Sequence, residues 1–215
     1  MKVPREGITI IIMTQRNRNN TAFVLNCLIA VCEIYALGYA FFRNGSFDYT
    51  AFQFYTNDSN ILALVSSLVY LQQSGRRGKT AQRMRYASSS CLSLTLIVVL
   101  LVLIPSDPES AGYLLLDRAC FFEHLVVPVL SFVSFVFFEK NSLMKRDAVR
   151  ALVPTLSYTA AAVILNAARI IEGPYPFLRI HDQSPVMSVL WFVVIAGGAY
   201  LISLGLLVLS EKVQK

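Results

Sequence analysis

Six apolar runs, separated by short polar segments, divide this chain. They cover residues 21–42, 56–72, 88–104, 118–138, 151–171 and 187–209. Most approach the ~20 residues that an α-helix needs to cross the hydrocarbon core of a bilayer, and the second is the shortest. The pattern predicts an all-α membrane protein, a bundle of six transmembrane helices over residues 21–209. Residues 1–20 form a cytoplasmic or interfacial segment and residues 210–215 a cytoplasmic tail.

Charge indicates how the runs are oriented. The 215 residues are 55% hydrophobic and only 15% charged, which excludes an ordinary soluble domain. The net charge of +6 does not indicate nucleic-acid binding, because the basic residues lie in short loops. Fifteen of the nineteen Lys and Arg residues lie in four segments on one side of the predicted membrane. These segments are the one before the first run, the one after the sixth, the loop between the second and third runs, which includes Arg83 and Arg85, and the loop between the fourth and fifth. The positive-inside rule therefore predicts an integral plasma (inner) membrane protein with both termini cytoplasmic.

Polar residues cluster where the second run begins, over residues 56–60. In this topology they lie at the outer end of the bundle. His124 lies near the outer end of the fourth run, about 9 Å deep at 1.5 Å per residue. A hydroxyl activated by an imidazole is a recurrent catalytic pair, so Thr56 is the candidate nucleophile and His124 its candidate base. Asn57, Ser59 and Asn60 are candidate polar support, as hydrogen-bond donors to a developing oxyanion.

Further polar groups reach the same outer level. Asn166 and Arg169 end the fifth run, and Tyr175 follows in a stiff aromatic loop. These three are candidate substrate-binding residues, with Arg169 suited to a carboxylate or a phosphate. Glu33, in the middle of the first run, is expected either to form a buried pair, with Arg169 a possible partner, or to act in proton transfer. Pro128 is expected to kink the fourth helix, because it lacks an N–H for the carbonyl of His124.

Other interpretations of these residues remain open. Thr56 can be a helix cap and His124 a hydrogen-bonding link between helices. Cys120 lies four residues before His124 on the same helical face and is an alternative nucleophile, as in a Cys-His membrane acyltransferase. Spacing alone favours Cys120 over Thr56, and the preference for Thr56 rests on the resemblance described next. Ser59 is a second alternative hydroxyl. No metal or other cofactor is expected, because the chain has two histidines and no paired cysteine spacing.

Three features together resemble the androgen-induced and androgen-dependent membrane hydrolases and the related six-transmembrane proteins of bacteria. They are Phe54-Tyr55-Thr56 followed by Ser59-Asn60, His124 with Pro128 four residues on, and Tyr175-Pro176-Phe177-Leu178 before the last run. The resemblance covers nearly the whole chain, and residues 57–60 look like the bacterial branch. Animal members are threonine hydrolases of fatty-acid esters of hydroxy fatty acids (FAHFAs). The resemblance therefore implies that Thr56 is the nucleophile, that His124 is the base and that the substrate is a lipid ester.

A non-enzymatic role is the main alternative: a small transporter, a lipid-binding protein or a scaffold. A transporter needs a polar path that continues to the inner side of the membrane, whereas an enzyme needs Thr56 and His124 within ~3 Å of each other or of a shared water. Beyond small hydroxyls, the apolar runs show few polar residues in their inner halves, mainly Asn26 and Tyr158. This composition favours the enzyme.

Overall fold

The residues that the structure describes fold into seven α-helices joined by short connections. The computed structural model describes residues 5–43, 45–73 and 78–214, with side chains from Gln15 onwards apart from Arg43. The helices are α1 Arg5–Phe41, α2 Tyr55–Gln72, α3 Lys79–Ser106, α4 Ala111–Leu116, α5 Arg118–Phe138, α6 Lys145–Ala167 and α7 Pro185–Gln214. A hairpin of two-residue strands, β1 Phe42–Arg43 and β2 Ser46–Phe47, and a 3₁₀ turn at Tyr49–Gln53 connect α1 to α2.

Five of these helices are long and apolar enough to cross a membrane: α3, α5, α6, α7 and the Gln15–Phe41 part of α1. The prediction of an all-α, multi-pass membrane protein is confirmed in this coarser form. Helix α2 has 18 residues but is not one of the five. Its first two turns carry the polar cluster at residues 56–60, which lowers its mean hydropathy.

Neighbouring long helices run in opposite directions. The start of α2 and the start of α5 meet through Thr56 and His124 at one end of the bundle, here called the site end. At the opposite end, the start of α3 and the end of α5 meet through Arg85 and Glu139. Gln214, at the end of α7, also bonds to the Glu139 carbonyl.

The opposite end contains a buried polar network, which corrects two expectations from the sequence. Arg83 and Arg85 do not lie in a loop, because α3 already begins at Lys79. Arg85 is 1% exposed and its guanidinium donates to both carboxylate oxygens of Glu139, with Nη2–Oε1 at 2.9 Å. The network also includes Asn26, Ser66, Ser67, Ser131 and Ser134. The expectation of few polar residues beyond small hydroxyls in this half of the bundle is therefore wrong for Arg85 and Glu139, which form a buried ion pair there.

An apolar layer separates this network from the site end. It consists of Ile29, Ala63, Leu92 and Val127, one residue from each of α1, α2, α3 and α5, all fully buried and in mutual contact. About one helical turn away on either side, the same four helices carry polar residues, because residues three or four apart share a helical face. On the side of the opposite end they are Asn26, Ser67, Ser89 and Ser131. On the side of the site end they are Glu33, Asn60, Thr95 and His124. In these four helices, a dry, apolar layer thus lies between two polar layers. Beside it, Cys91 of α3 contacts the Thr155 hydroxyl of α6 at 3.7 Å.

Candidate active site

Thr56 lies in the first turn of α2 and is buried. Its hydroxyl oxygen is 3.3 Å from Nε2 of His124 and 3.4 Å from the hydroxyl of Tyr175. Its backbone N–H, which has no partner within the helix at this position, donates to the Tyr175 hydroxyl at 3.3 Å. The two residues predicted as nucleophile and base are therefore neighbours, and Tyr175 joins them.

The other ring nitrogen of His124 fixes its tautomer. Nδ1 is 2.8 Å from the backbone carbonyl of Leu114, which can only accept a hydrogen bond. Nδ1 therefore carries the hydrogen, and Nε2 presents its lone pair to the Thr56 hydroxyl. A backbone carbonyl on the short helix α4 takes the orienting position that an acid occupies in many catalytic triads. Sequence reasoning missed Leu114, because no side-chain signal marks a backbone acceptor.

Helix α5 is locally distorted where it carries His124. Residues Phe122–Val126 form a π-helical turn that ends just before Pro128. Such turns often occur at functional sites, and here the absent N–H of Pro128 leaves the ordinary hydrogen-bond ladder of the helix incomplete. The structure shows this wider turn, while the kink expected at Pro128 stays a prediction. Glu123 and His124 are both buried, and both line the cavity described below.

The loop between α6 and α7 positions Tyr175. Gly173 begins this stretch with φ +86°, and a Cβ there would lie 3.0 Å from the Leu178 carbonyl oxygen. The Tyr175 ring stacks on Phe177 with ring centroids 5.2 Å apart. Burial raises the pKa of Tyr175, so its hydroxyl stays protonated at neutral pH and keeps a hydrogen to donate.

The polar cluster of α2 supports the helix more than it faces a substrate. The Asn60 amide donates to the carbonyls of Thr56 and Glu123, at 2.8 and 3.5 Å, so both of its N–H groups are engaged. Ser59 donates to the Thr56 carbonyl at 2.9 Å. In this arrangement Asn60 holds the turn that carries Thr56, and its role as a donor to an oxyanion stays a prediction. Asn57 donates from its nitrogen to the Ala51 carbonyl at 2.8 Å and also lines the cavity.

Two cavities meet at Thr56 and Tyr175. The larger, about 480 Å³, reaches from Thr56 and His124 past Asn57 and Cys120 to the loops of the site end. Cys120 therefore shares the cavity with His124, as its spacing predicted. The other is a narrow apolar cavity on the far side of Thr56, lined by side chains of α3, α6 and α7. A third, apolar cavity of about 250 Å³ between α6 and α7 shares Phe177, Leu178 and Ile195 with the narrow one.

The remaining predicted residues lie away from this pair. Asn166 joins α6 to the following loop by donating to the Ile171 carbonyl and accepting from the Ile180 N–H. Arg169 is exposed, has φ 57° and lines neither cavity at Thr56. Glu33 is fully buried, and among the described residues its carboxylate accepts no hydrogen bond and forms no salt bridge. The Glu33–Arg169 pair is therefore absent from the described structure.

His181 lies apart from His124, with its Nε2 bound to the Asn166 carbonyl. In the described ranges, no group of three His, Cys, Asp or Glu side chains is placed to hold a metal ion.

Comparison with known proteins identifies no family model, no curated protein and no solved structure that matches this chain. The class that the fold defines is therefore an all-α multi-pass membrane protein, and its function has to be argued from the site.

Proposed function

We propose that this protein is an integral membrane lipid-ester hydrolase, with Thr56 as nucleophile and His124 as base. The observation that carries the proposal is the 3.3 Å contact between the Thr56 hydroxyl and His124 Nε2, together with the bond from Nδ1–H to the Leu114 carbonyl. A threonine hydroxyl is a poor nucleophile unless a base accepts its proton. Here the only lone pair of the imidazole is directed at that hydroxyl, in a buried setting.

The chemistry would proceed in two halves. The Thr56 proton passes to His124 Nε2 as Oγ1 forms a bond to the ester carbonyl carbon. The tetrahedral oxyanion collapses, the bond to the alcohol oxygen breaks, and that oxygen takes the proton from the imidazolium, which leaves an acyl-threonine. A water molecule then gives a proton to Nε2 and attacks the acyl carbon. Collapse releases the fatty acid and returns the proton to Thr56 Oγ1.

Tyr175 is the donor best placed for the oxyanion. Its hydroxyl accepts from the Thr56 N–H, so its own hydrogen is available within 3.4 Å of the nucleophilic oxygen. A donor fixed beside the reacting atoms stabilises the charge that develops in the transition state.

A lipid ester fits because polar and apolar cavities meet at Thr56. The reacting carbonyl would lie at Thr56, the alcohol part would lie in the larger cavity, and the acyl chain would extend into the narrow apolar cavity towards the space between α6 and α7. The narrow cavity has room for about one water, so it would have to widen for an alkyl chain. The FAHFA that the resemblance implies is the first ester to test.

The same proposal includes the topology. Helix α2 would be the sixth span, because it packs within the bundle and its polar first turns face the other helices rather than lipid. By the positive-inside rule, the Lys and Arg residues of the connections at the opposite end would put that end, and with it both termini, in the cytoplasm of an inner-membrane protein. The active site would then lie near the outer leaflet.

A cysteine-dependent enzyme and a transporter are the two alternative functions, and the labelling experiment described below would give a different result for each. Cys120 lines the same cavity, so a cysteine nucleophile is a specific alternative. A transporter would need a continuous polar path, and the dry layer of Ile29, Ala63, Leu92 and Val127 interrupts such a path between α1, α2, α3 and α5.

The test is labelling by a fluorophosphonate probe in membranes at equal expression. We expect labelling of the wild type, loss in Thr56→Ala and His124→Ala, and retention in Cys120→Ala. Ser106→Ala is a matched control, since its hydroxyl lines the same cavity but bonds to the Leu103 carbonyl. Loss in Cys120→Ala with retention in Thr56→Ala would move the nucleophile to α5. No labelling of any form would contradict the hydrolase.

A further inference from the structure

The larger cavity at Thr56 has a strongly acidic lining. Four carboxylates line it, from the turn before α2, from both ends of the segment that carries α4, and from α5: Asp48, Asp107, Asp117 and Glu123. No Lys or Arg is among the described side chains that line it. Arg118 lies at the rim, where it is exposed and donates to the Tyr39 hydroxyl at 3.3 Å. A cleft lined by one sign of charge concentrates ligands of the opposite sign.

A second, independent feature of the cavity is the side-chain oxygen of Asn57, which accepts no hydrogen bond from the described residues. Asn57 is only 6% exposed and lines the cavity. Its nitrogen donates to the Ala51 carbonyl, which fixes which end of the amide is which. Within the described part of the chain, its Oδ1 has no hydrogen-bond partner. Asn57 lines the cavity, so a ligand there with an N–H group can donate to this oxygen.

Aromatic rings complete the lining. Phe54, Tyr113 and Tyr175 line the cavity together with Tyr39, and the Phe54 and Tyr175 rings meet edge to face with centroids 6.5 Å apart. Ring faces attract cations, and acidic groups combined with aromatic rings are typical of sites for ammonium groups. Arg118 already uses this interaction at Tyr39, where its guanidinium carbon is 5.6 Å from the ring centroid.

We propose that the alcohol part of the substrate carries a cationic nitrogen, which the acidic and aromatic cavity recognises while the ester carbonyl lies at Thr56. This inference rests on the proposed hydrolase function and specifies its substrate class. A cation beside the reacting carbonyl would also offset the repulsion between the developing oxyanion and carboxylates such as those of Asp107 and Asp117. A free carboxylate in the same cavity would add to that repulsion, so the FAHFA type of ester would be a poor substrate.

The test compares esters that share one acyl chain and differ in the alcohol part. The series contains an ethanolamine ester, a choline ester, a glycerol ester and an ester of a hydroxy fatty acid with its free carboxylate. At low ionic strength we expect kcat/KM for a cationic ester to exceed that for the anionic ester by about tenfold or more. The ratio should shrink at 1 M salt, where the Debye length is about 3 Å. Preference for ethanolamine over choline would assign the N–H contact to Asn57.

Charge variants test the cavity itself. Asp107→Asn with Asp117→Asn should lower the ratio of cationic to anionic kcat/KM several-fold. Glu109→Gln with Glu172→Gln is the matched control and should keep the ratio, because these acids are exposed near the same end but do not line the cavity. An anionic ester turned over as well as a cationic one would overturn the inference, and so would an unchanged ratio in the Asp107/Asp117 variant.

A binding measurement tests the recognition of a cationic alcohol part separately from the proposed hydrolase activity. Non-hydrolysable ether analogues with the same four alcohol parts would be compared by the rise in Tm of the full-length protein in detergent. A larger rise with the cationic analogues supports the inference even if no ester is hydrolysed, which would count only against the hydrolase. An equal or larger rise in Tm with the anionic analogue would overturn the inference that the cavity recognises a cation.

Discussion

His124 contacts its surroundings through both ring nitrogens, and the two contacts have different origins. The contact with Thr56 joins two residues that the sequence marks by type, a hydroxyl in a polar cluster and a histidine in an apolar run. The contact with Leu114 is to a backbone carbonyl, so its side chain gives no hint of it. The second contact decides which nitrogen has a lone pair, and therefore whether the first can be a base–nucleophile contact.

Removal of the Tyr175 hydroxyl tests whether it donates a hydrogen bond to the oxyanion, as proposed. Tyr175→Phe keeps the ring and its stacking on Phe177 but removes the donor. We expect kcat for a lipid ester to fall by about 10²-fold with little change in KM, because the lost bond forms mainly in the transition state. Tyr158→Phe is the control: its hydroxyl donates to the Gln53 carbonyl, not to Thr56, and its removal should not lower kcat in this way. Equal losses in the two variants would contradict a specific role for Tyr175.

Two buried glutamates should respond oppositely to the same substitution. Glu139→Gln removes the charge that pairs with Arg85, and we expect a loss of about 3–5 kcal/mol in the free energy of unfolding. Glu33→Gln should leave stability unchanged or raise it, because the described side chains offer the Glu33 carboxylate no hydrogen bond or salt bridge. Thermal unfolding of both variants in detergent measures the difference. A large loss in Glu33→Gln would show a partner for this carboxylate in the folded protein.

The helices differ in how far their sequence patterns predict their bounds. The predicted run 118–138 coincides with α5, Arg118–Phe138, where a continuous apolar stretch is bounded by charged residues. Helix α3 extends far beyond the predicted start at residue 88, to Lys79, because Arg85 is buried against Glu139. Hydropathy treats an arginine as a loop residue, and only a partner on another helix allows it inside.

The connection between α6 and α7 depends on Gly173. We expect Gly173→Ala to lower Tm and kcat together, because φ +86° strains any L side chain and the new Cβ would meet the Leu178 carbonyl at 3.0 Å. The left-handed conformation alone costs about 1–2 kcal/mol. Gly112→Ala is the control, since it has open space around the added Cβ and no positive φ. A Gly173→Ala protein with unchanged kcat would show that the loop does not need this conformation to place Tyr175.

The molecule as a whole combines two polar ends with a dry centre, and this arrangement bears on its function. Polar groups at the opposite end engage one another, with Glu139 alone accepting from Arg85, Asn26 and Ser134. The apolar layer of Ile29, Ala63, Leu92 and Val127 separates them from Thr56 and His124. This arrangement suits a reaction chamber that opens on one side more than a path across the membrane.

Single cysteines on the two ends test the proposed topology. In a background without the native cysteines, Asp182→Cys lies in the connection at the site end and Lys145→Cys at the start of α6, and both positions are exposed. A membrane-impermeant maleimide added to intact cells should label residue 182 but not residue 145, and both after lysis. The reverse pattern would place the termini outside, and labelling of both in intact cells would contradict the alternation of spans.

The sequence by itself determined the class of protein and the principal candidates. Long apolar runs have few alternatives to helices in a bilayer, so the class can be deduced from composition along the chain. Short basic loops indicate an orientation, which stays a prediction. It also singled out Thr56, His124 and Tyr175, because polar groups within apolar stretches are conspicuous.

Tertiary structure alone decided which polar groups meet. It brought Thr56, His124 and Tyr175 from three separate segments to one point, turned Asn60 towards backbone carbonyls, and left Arg169 outside the cavity. It also buried Arg85 against Glu139 and gathered four acids around the larger cavity. These outcomes depend on helix rotation, on the π-helical turn at Phe122–Val126 and on backbone acceptors such as Leu114. None of these is encoded by residue type at a single position, since each arises only when separate helices pack.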